Sequence, residues 1–302
     1  ALQVETILVD GGSDDGTESL ARDLGFTHVL EHPGESIPAC RNIGARSASG
    51  LLIGYLDADC EPAPDWLVKA LPHLKSTSPS LLGWPSAPPE DRTWVQHAWH
   101  IHWSHKLRAA VEAESENLVR NQAFRLLTTR NLIMNRDVFE AVGGFDESLA
   151  TGEDTDFALR AARSGTNVCG LPSLRVLHHG EPRTLEQFYR QQYWHANRDA
   201  YGKILRERQG IQGLNALLFT FLFAASLLLS AAGFLSASVR LVYGLPLVLL
   251  IGGPALLVAT RAKEPLQAVP LAILYFAYGL ARAVELFRIH GKGKSWRNSP
   301  PP

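Results

Sequence analysis

Cysteine is scarce in this chain: Cys40, Cys60 and Cys169 are the only three among 302 residues, and no two form a C-x-x-C pair. Neither a disulfide framework nor a zinc site is suggested by that spacing, and a reducing cytosol is the simplest compartment. An excess of one charge is also missing. Lys and Arg number 29 against 30 Asp and Glu, and the net charge of -1 predicts no nucleic-acid footprint. The opening Ala1-Leu-Gln-Val has neither a starting Met nor a signal-peptide apolar core, so the chain reads as truncated or trimmed at this end. G-x-G-x-x-G is absent too. The turn "GGSDDG" has another spacing, and its acid precedes the glycines instead of following them by about 20 residues, which argues against a dinucleotide-binding oxidoreductase. No internal repeat occurs, and the only biased tract is the terminal "SPPP".

Long hydrophobic runs are present and confined to the last third. Gln209 to Val239, Leu241 to Thr260 and Pro265 to Ala281 contain no Asp, Glu, Lys, Arg or His. The first two meet the roughly 20 apolar residues a helical membrane span needs, and the third is at the short end. The expected organisation is a folded domain over 1–207, a membrane region of two or three hydrophobic helices over 208–290, and a basic, proline-ending tail over 291–302.

Upstream, strand-like and helix-like segments alternate. "ETILVDGGSDDGTESLARDLG" reads as a buried strand, a turn and a helix closed by Gly25; "FTHVLEH" as a second strand; "ESIPACRNIGARSASG" as a helix; "LLIGYLD" as a third strand. This alternation predicts an α/β fold, a mostly parallel sheet with helices on both faces. Ligands bind outside the carboxyl ends of such strands, where Asp10 and Asp57 both stand. "APDWLVKALPHLK" reads as a further helix. A helix pair is expected around "TTRNLIMNRDVFEAVGGFDESLATGEDTDFALRAARSG", and "TLEQFYRQQYWHANRDAYGKILRER" reads as an amphipathic helix leading to the membrane. Between them, Trp94, Trp99 and Trp103 cluster with His97, His100, His102 and His105. Without a carboxylate or Cys at ligand spacing, this segment reads as an aromatic helix at the bilayer surface or beside an acceptor cleft.

Four stretches carry chemistry. "GYLDADC" ends an apolar run in Asp57 and Asp59, with no basic residue nearby. Paired carboxylates are costly unless solvated or held by a cation, and oxygen ligands on a loop suit Mg²⁺ or Mn²⁺. The alternative is a solvated turn in which Asp59 caps the next helix. "VDGGSDDGT" sets Asp10 before a glycine turn that lets backbone approach a ligand, with capping by Asp14, Asp15 or Thr17 as the alternative. "ACRNIGARSASG" supplies Arg41, and Arg46 as a second candidate, to face phosphate or base; the alternative is a solvated cationic helix face. "GEDTDFALR" places Glu153, Asp154 and Asp156 at a helix start, where they either serve the helix dipole or supply a general base.

In order and spacing, "ILVDGGSDDGT", "ACRNIGARSASGLLIGYLDADC" and "VGGFDESLATGEDTDFALRAARSG" resemble the family 2 glycosyltransferases of GT-A fold, over roughly residues 4 to 200. The resemblance implies a nucleotide-sugar donor, a UDP-sugar foremost, a divalent metal on the D-x-D, and single-displacement transfer with inversion at the anomeric carbon. It implies Asp10 at the nucleoside, Asp57 on the ribose or metal side, Asp59 as metal ligand and Asp154 as catalytic base, with Glu153 orienting it or touching the acceptor. His178 and His179 stand where related enzymes place a histidine near the diphosphate, and so join the metal candidates; core packing or solvation is the alternative. Two departures matter. The family's opening nucleotide-binding strand has no counterpart, and the Q-x-x-R-W of processive members is only partly matched by "RQQYWHANR". Gln191 or Gln192 and Trp194 fall there, on an acceptor or diphosphate side, so long-polymer synthesis is not supported.

The tail, with "LAILYFAYGLARAVELF", resembles membrane-attached bacterial enzymes of exopolysaccharide assembly, the succinoglycan glucosyltransferase-like group. That implies a lipid-linked or glycan acceptor, contact with membrane lipid, and an inner-membrane enzyme whose catalytic domain faces the cytosol. A polyprenyl-phosphate glycosyltransferase and a catalytically silent membrane scaffold are the alternatives. Three full crossings would leave the basic tail outside, against the positive-inside expectation. One segment is therefore expected to be re-entrant or interfacial, the third foremost.

Overall fold

The computed structural model describes residues 3–74, 78–113, 123–149, 151–196, 211–235 and 240–287. The boundary expected at 207 and the tail over 291–302 lie outside the described residues. The chain divides into two compact units, Ala1–Ala87 with Ala110–His179, and Pro88–Ala109 with Gly180–Pro302.

In the first unit, β1 (Ile7–Asp10) leads through a glycine turn to α1 (Thr17–Asp23) and to β2 (His28–Glu31), which pairs with β1 in parallel. Gly25 ends α1 in the left-handed region at φ 78, where a side chain would be strained. Ser36 caps α2 (Ile37–Ser47) by accepting from the Ala39 N–H, and a proline in the first turn costs no helical hydrogen bond. β3 (Leu52–Tyr55) and β4 (Cys60–Pro62) flank the D-x-D, and α3 (Trp66–Leu74) and β5 (Ser80–Gly83) follow.

Here the parallel alternation stops. β6 (Leu132–Asn135) lies between β3 and β5 and is antiparallel to both, while β7 (Asn167–Gly170) joins β5 in parallel, giving the order β3-β6-β5-β7. β8 (Val176–His178) pairs antiparallel with β4. The sheet is thus mixed rather than mostly parallel; two 3-10 turns, Ala123–Arg125 and Thr129–Asn131, lead directly into β6. The helix pair around it is α5 (Arg136–Val142) and α6 (Glu153–Arg163). Leu81, Leu132, Met134, Val138, Phe139, Phe145 and Phe157 form one core layer, and Trp66, Leu82, Ile133, Leu171 and Leu174 another. At the centre, Asn131 donates to the Trp84 and Leu174 carbonyls and accepts from the Trp66 indole N–H.

The second unit gathers α4 (Trp94–Ala113) as far as Ala109, α7 (Leu185–His195), α8 (Ile211–Leu235), α9 (Arg240–Arg261) and α10 (Ala268–Phe287). α4 is not merely a surface helix. Trp99 stacks on His102 at 4.8 Å and meets Phe188 edge-on at 4.9 Å, while the His102 ring and the Tyr275 hydroxyl are hydrogen-bonded at 2.7 Å. His97 pairs with Glu264 at 2.8 Å. Two helices are long and apolar enough to cross a membrane, Tyr243–Arg261 and Pro265–Glu285; Leu217–Gly233 is a shorter apolar helix among the described residues. The third run, read from sequence as marginal, thus lies in a helix long and apolar enough to cross. Leu245, Val248, Leu249, Leu256, Leu257, Val269 and Val284 are exposed on α9 and α10.

Candidate active site

Asp10 ends β1 almost fully buried. Its Oδ1 accepts the Gly12 and Ser13 N–H groups, each at 2.8 Å, and its Oδ2 is buried with no partner. Burial opposes the charge, yet the two backbone donors outweigh it and hold the carboxyl below its ordinary value. One oxygen is fixed and the other is left to accept a donor from a ligand. Asp15, not Asp14, does the capping of that turn, accepting from the Thr17 N–H at 3.0 Å.

Arg41 links three elements. From α2 its guanidinium reaches Glu153 at the start of α6 and Asp57 after β3, the latter at 3.2 Å, and it lies 6.0 Å from the centre of the Phe145 ring. Tyr55 packs edge-on against Phe145 at 5.3 Å and donates to the Arg41 carbonyl. Arg130 approaches the other Asp57 oxygen at 3.9 Å. The cations that answer Asp57 are thus two guanidinium groups supplied from distant sequence. Burial lowers the Arg41 pKa, but Glu153, Asp57 and Asp154 outweigh it and raise the value. Burial likewise raises the Glu153 and Asp154 carboxyls above their ordinary range, against the pull of Arg41. Arg46 points elsewhere, to exposed Glu147 at 4.0 Å.

The three acids at the start of α6 divide their work. Glu153 turns to Arg41, Asp156 pairs with Arg160 within the helix, and half-buried Asp154 accepts from its neighbour Thr155, from the N–H at 2.7 Å and the hydroxyl at 3.5 Å. Gly152 is the left-handed N-cap, and no side chain closes that end. Asn42 fixes the preceding turn, accepting from the Phe145 N–H and donating to the Phe145 carbonyl and Glu147. A Cβ on Gly144, at φ 81, would stand 2.7 Å from the Asn42 oxygen, so this "GGF" turn needs glycine.

Asp59 pairs with a histidine rather than with Arg41. Its Oδ2 lies 3.1 Å from the Nε2 of buried His178, and ligand atoms of Asp59, Cys60 and His178 fall within 4.8 Å of one another. The β4–β8 register creates the meeting by setting Cys60 opposite His178. Hydrogen bonding to His178 holds the Asp59 carboxyl below its ordinary value. A carboxylate, an imidazole and a thiol form a donor set that fits a divalent ion. Asp57, expected with Asp59 at a metal, is instead paired with Arg41 and Arg130, while Ala58 and Asp59 lie in the turn between β3 and β4. His179 pairs with Glu61 at 3.1 Å, outside the Asp59 cluster. Gln192, buried, and Trp194, edge-on to His195, belong to the second unit on α7.

Sequence reasoning missed Arg130, Asn42, Tyr55 and Cys60. The lack of a basic residue beside Asp57 was the available signal for Arg130, since a half-buried carboxylate needs a cation from somewhere.

The sequence model for glycosyl transferase family 2 matches residues 1–143, a span that stops short of Glu153, Asp154 and His178. The glycosyltransferase AglE of Haloferax volcanii is 25% identical over 172 residues, which cover 53% of this chain and 52% of that protein. The O-antigen biosynthesis protein RfbC of Myxococcus xanthus is 27% identical over 177 residues, covering 54% and 14%. The chain thus spans about half the length of the first relative and less of the second. Among solved structures, the mannosyltransferase PcManGT from Pyrobaculum calidifontis, in complex with GDP-Man and Mn²⁺, aligns over 94% of this chain and 78% of its own, with a TM-score of 0.55 at 19% identity. That likeness shows the fold, GT-A-like α/β.

Proposed function

With residues 1–143 forming a family 2 glycosyl transferase domain, we propose that the protein is a membrane-anchored inverting glycosyltransferase. It passes a hexose from a nucleoside-diphosphate sugar, a UDP-sugar foremost, to a lipid-linked or glycan hydroxyl. The observation that carries this reading is the Arg41 bridge. One guanidinium gathers Asp57 and Glu153, with Asp154 close enough to act on its charge, in the unit that also holds Asp10 and the Asp59–His178 pair.

Asp10 accepts from the donor's base through its unpartnered oxygen. Asp59 and His178 would hold Mg²⁺ or Mn²⁺, which as a Lewis acid stabilises the departing diphosphate. Asp154 takes the proton of the acceptor hydroxyl, whose oxygen attacks the anomeric carbon from the side opposite the leaving group, inverting it. Glu153, engaged by Arg41, orients the acid pair. A carboxyl held above its usual range is a better base for an alcohol proton than an ordinary aspartate.

Tyr243–Arg261 and Pro265–Glu285 serve as the anchor. The catalytic unit faces the cytosol at the inner membrane, where nucleotide sugars are found. A tethered enzyme meets a lipid-linked acceptor at raised effective concentration.

The test is a screen of radiolabelled nucleotide sugars on membranes bearing the protein. Transfer to a lipid or glycan is expected, with Asp154→Asn losing about 10²–10⁴-fold. A much smaller loss would favour a polyprenyl-phosphate acceptor, whose oxygen is already ionised. Absence of product with every donor would favour a silent scaffold.

A further inference from the structure

We propose that Cys60 joins Asp59 and His178 as a third ligand, making a mixed oxygen, nitrogen and sulfur site that selects thiophilic divalent cations such as Co²⁺, Zn²⁺ and Cd²⁺ over Mg²⁺. The inference rests on the reading of Asp59 and His178 as the metal seat and adds a residue and a selectivity to it.

Geometry brings the three donors together from rigid backbone. Cys60 and His178 are directly opposed in the antiparallel β4–β8 pair, so their side chains leave the same face. The Cys60 Sγ lies 3.9 Å from the Asp59 Oδ1, and His178 Nε2 lies 3.1 Å from the Oδ2. Backbone hydrogen bonds pin each ligand: Cys60 N–H to the Asp57 carbonyl, His179 N–H to the Asp59 carbonyl, and His178 N–H to the Ala87 carbonyl, all at 2.9 or 3.0 Å. His178 is 3% exposed, whereas the Asp59 side chain is 45% exposed, so the donors sit at the floor and wall of a site open on one side. Three protein ligands with one open position is the arrangement in which catalytic zinc is held, and the open position suits a water or a diphosphate oxygen.

The choice of cation follows from ligand softness. Carboxylate, carbonyl and water suit Mg²⁺ and Mn²⁺, imidazole is tolerant, and thiolate selects softer ions. A hard ion binds to Asp59 and His178 and leaves the thiol protonated. A thiophilic ion forms a metal–sulfur bond, the Cys60 proton passing to solvent, with no change of oxidation state. Such ions are therefore held more tightly than Mn²⁺ and displace it. The other two cysteines lie elsewhere, Cys40 against the Gly11 turn and Cys169 buried in β7 beside Asn167, so the signal can be assigned.

The test is a Co²⁺ titration of the full chain in detergent, followed by absorption. A thiolate-to-cobalt charge-transfer band is expected, saturating at one ion per chain, lost in Cys60→Ser and kept in Cys40→Ser. In a parallel assay Mn²⁺ release is read by its electron paramagnetic resonance; Cd²⁺ is expected to displace Mn²⁺ at a concentration about tenfold lower, or lower still, in the parent than in Cys60→Ser. Cobalt bound without a charge-transfer band, or the same band and the same Cd²⁺ competition in Cys60→Ser, overturns the role of Cys60 and leaves the Asp59–His178 seat standing. Failure of Co²⁺ and Mn²⁺ alike to bind, with UDP present, overturns the seat itself.

Discussion

Arg41 sits between carboxylates that burial makes costly to ionise, and its position turns two weak sequence hints into one electrostatic unit. In the folded protein Glu153 and Asp154 keep their protons to higher pH than in the unfolded chain, so between the two values the folded state binds more protons and their contribution to stability falls as pH rises. For catalysis the same shift places the acid limb of the pH profile of kcat/KM above the ordinary aspartate value of about 4. Because the Arg41 charge pulls both pKa values down, Arg41→Met is expected to move that limb to still higher pH while lowering the rate at neutrality. Profiles of the two proteins decide it: an unchanged limb, or one moved downward, contradicts the assignment of Asp154 as base. The acids themselves were legible in the sequence, as carboxylates at a strand end and a helix start. Arg41 and His178 were candidates as well, but Arg130 was not, nor was the pairing by which these three reach Asp57 and Asp59, because it is tertiary and no local spacing encodes it.

At the scale of elements, punctuation was readable and strand pairing was not. Gly25 marked the end of α1, since it supplies a specific backbone need. β6 was missed because "LIMN" is a short apolar run that periodicity cannot distinguish from buried helix. Its insertion between β3 and β5 makes the sheet mixed and brings Asn131, just before it, to the interior. Asn131 satisfies the Trp66 indole and two main-chain carbonyls at once, so Asn131→Leu strands three buried polar groups. The substitution is expected to destabilise the first unit by about 2–4 kcal/mol. Urea unfolding followed by tryptophan fluorescence would read this, and a loss below about 0.5 kcal/mol, the range of neutral surface changes, would count against that packing.

For the molecule as a whole, composition separated a mixed, polar catalytic portion from an apolar tail, and the tail's helices are there. What composition could not reveal is that α4 and α7 group with the apolar helices: the Trp99–Phe188 contact that joins them is made between residues distant in sequence. The account stands on a divalent ion held at Asp59 and His178 meeting a nucleoside diphosphate whose base is received by Asp10. Calorimetric titration of the full chain with UDP, with and without Mn²⁺, tests this most directly. Binding that requires Mn²⁺, and that weakens about tenfold or more in Asp59→Asn, is the predicted result; a folded protein that binds no UDP, or binds it equally well without the ion, would contradict it.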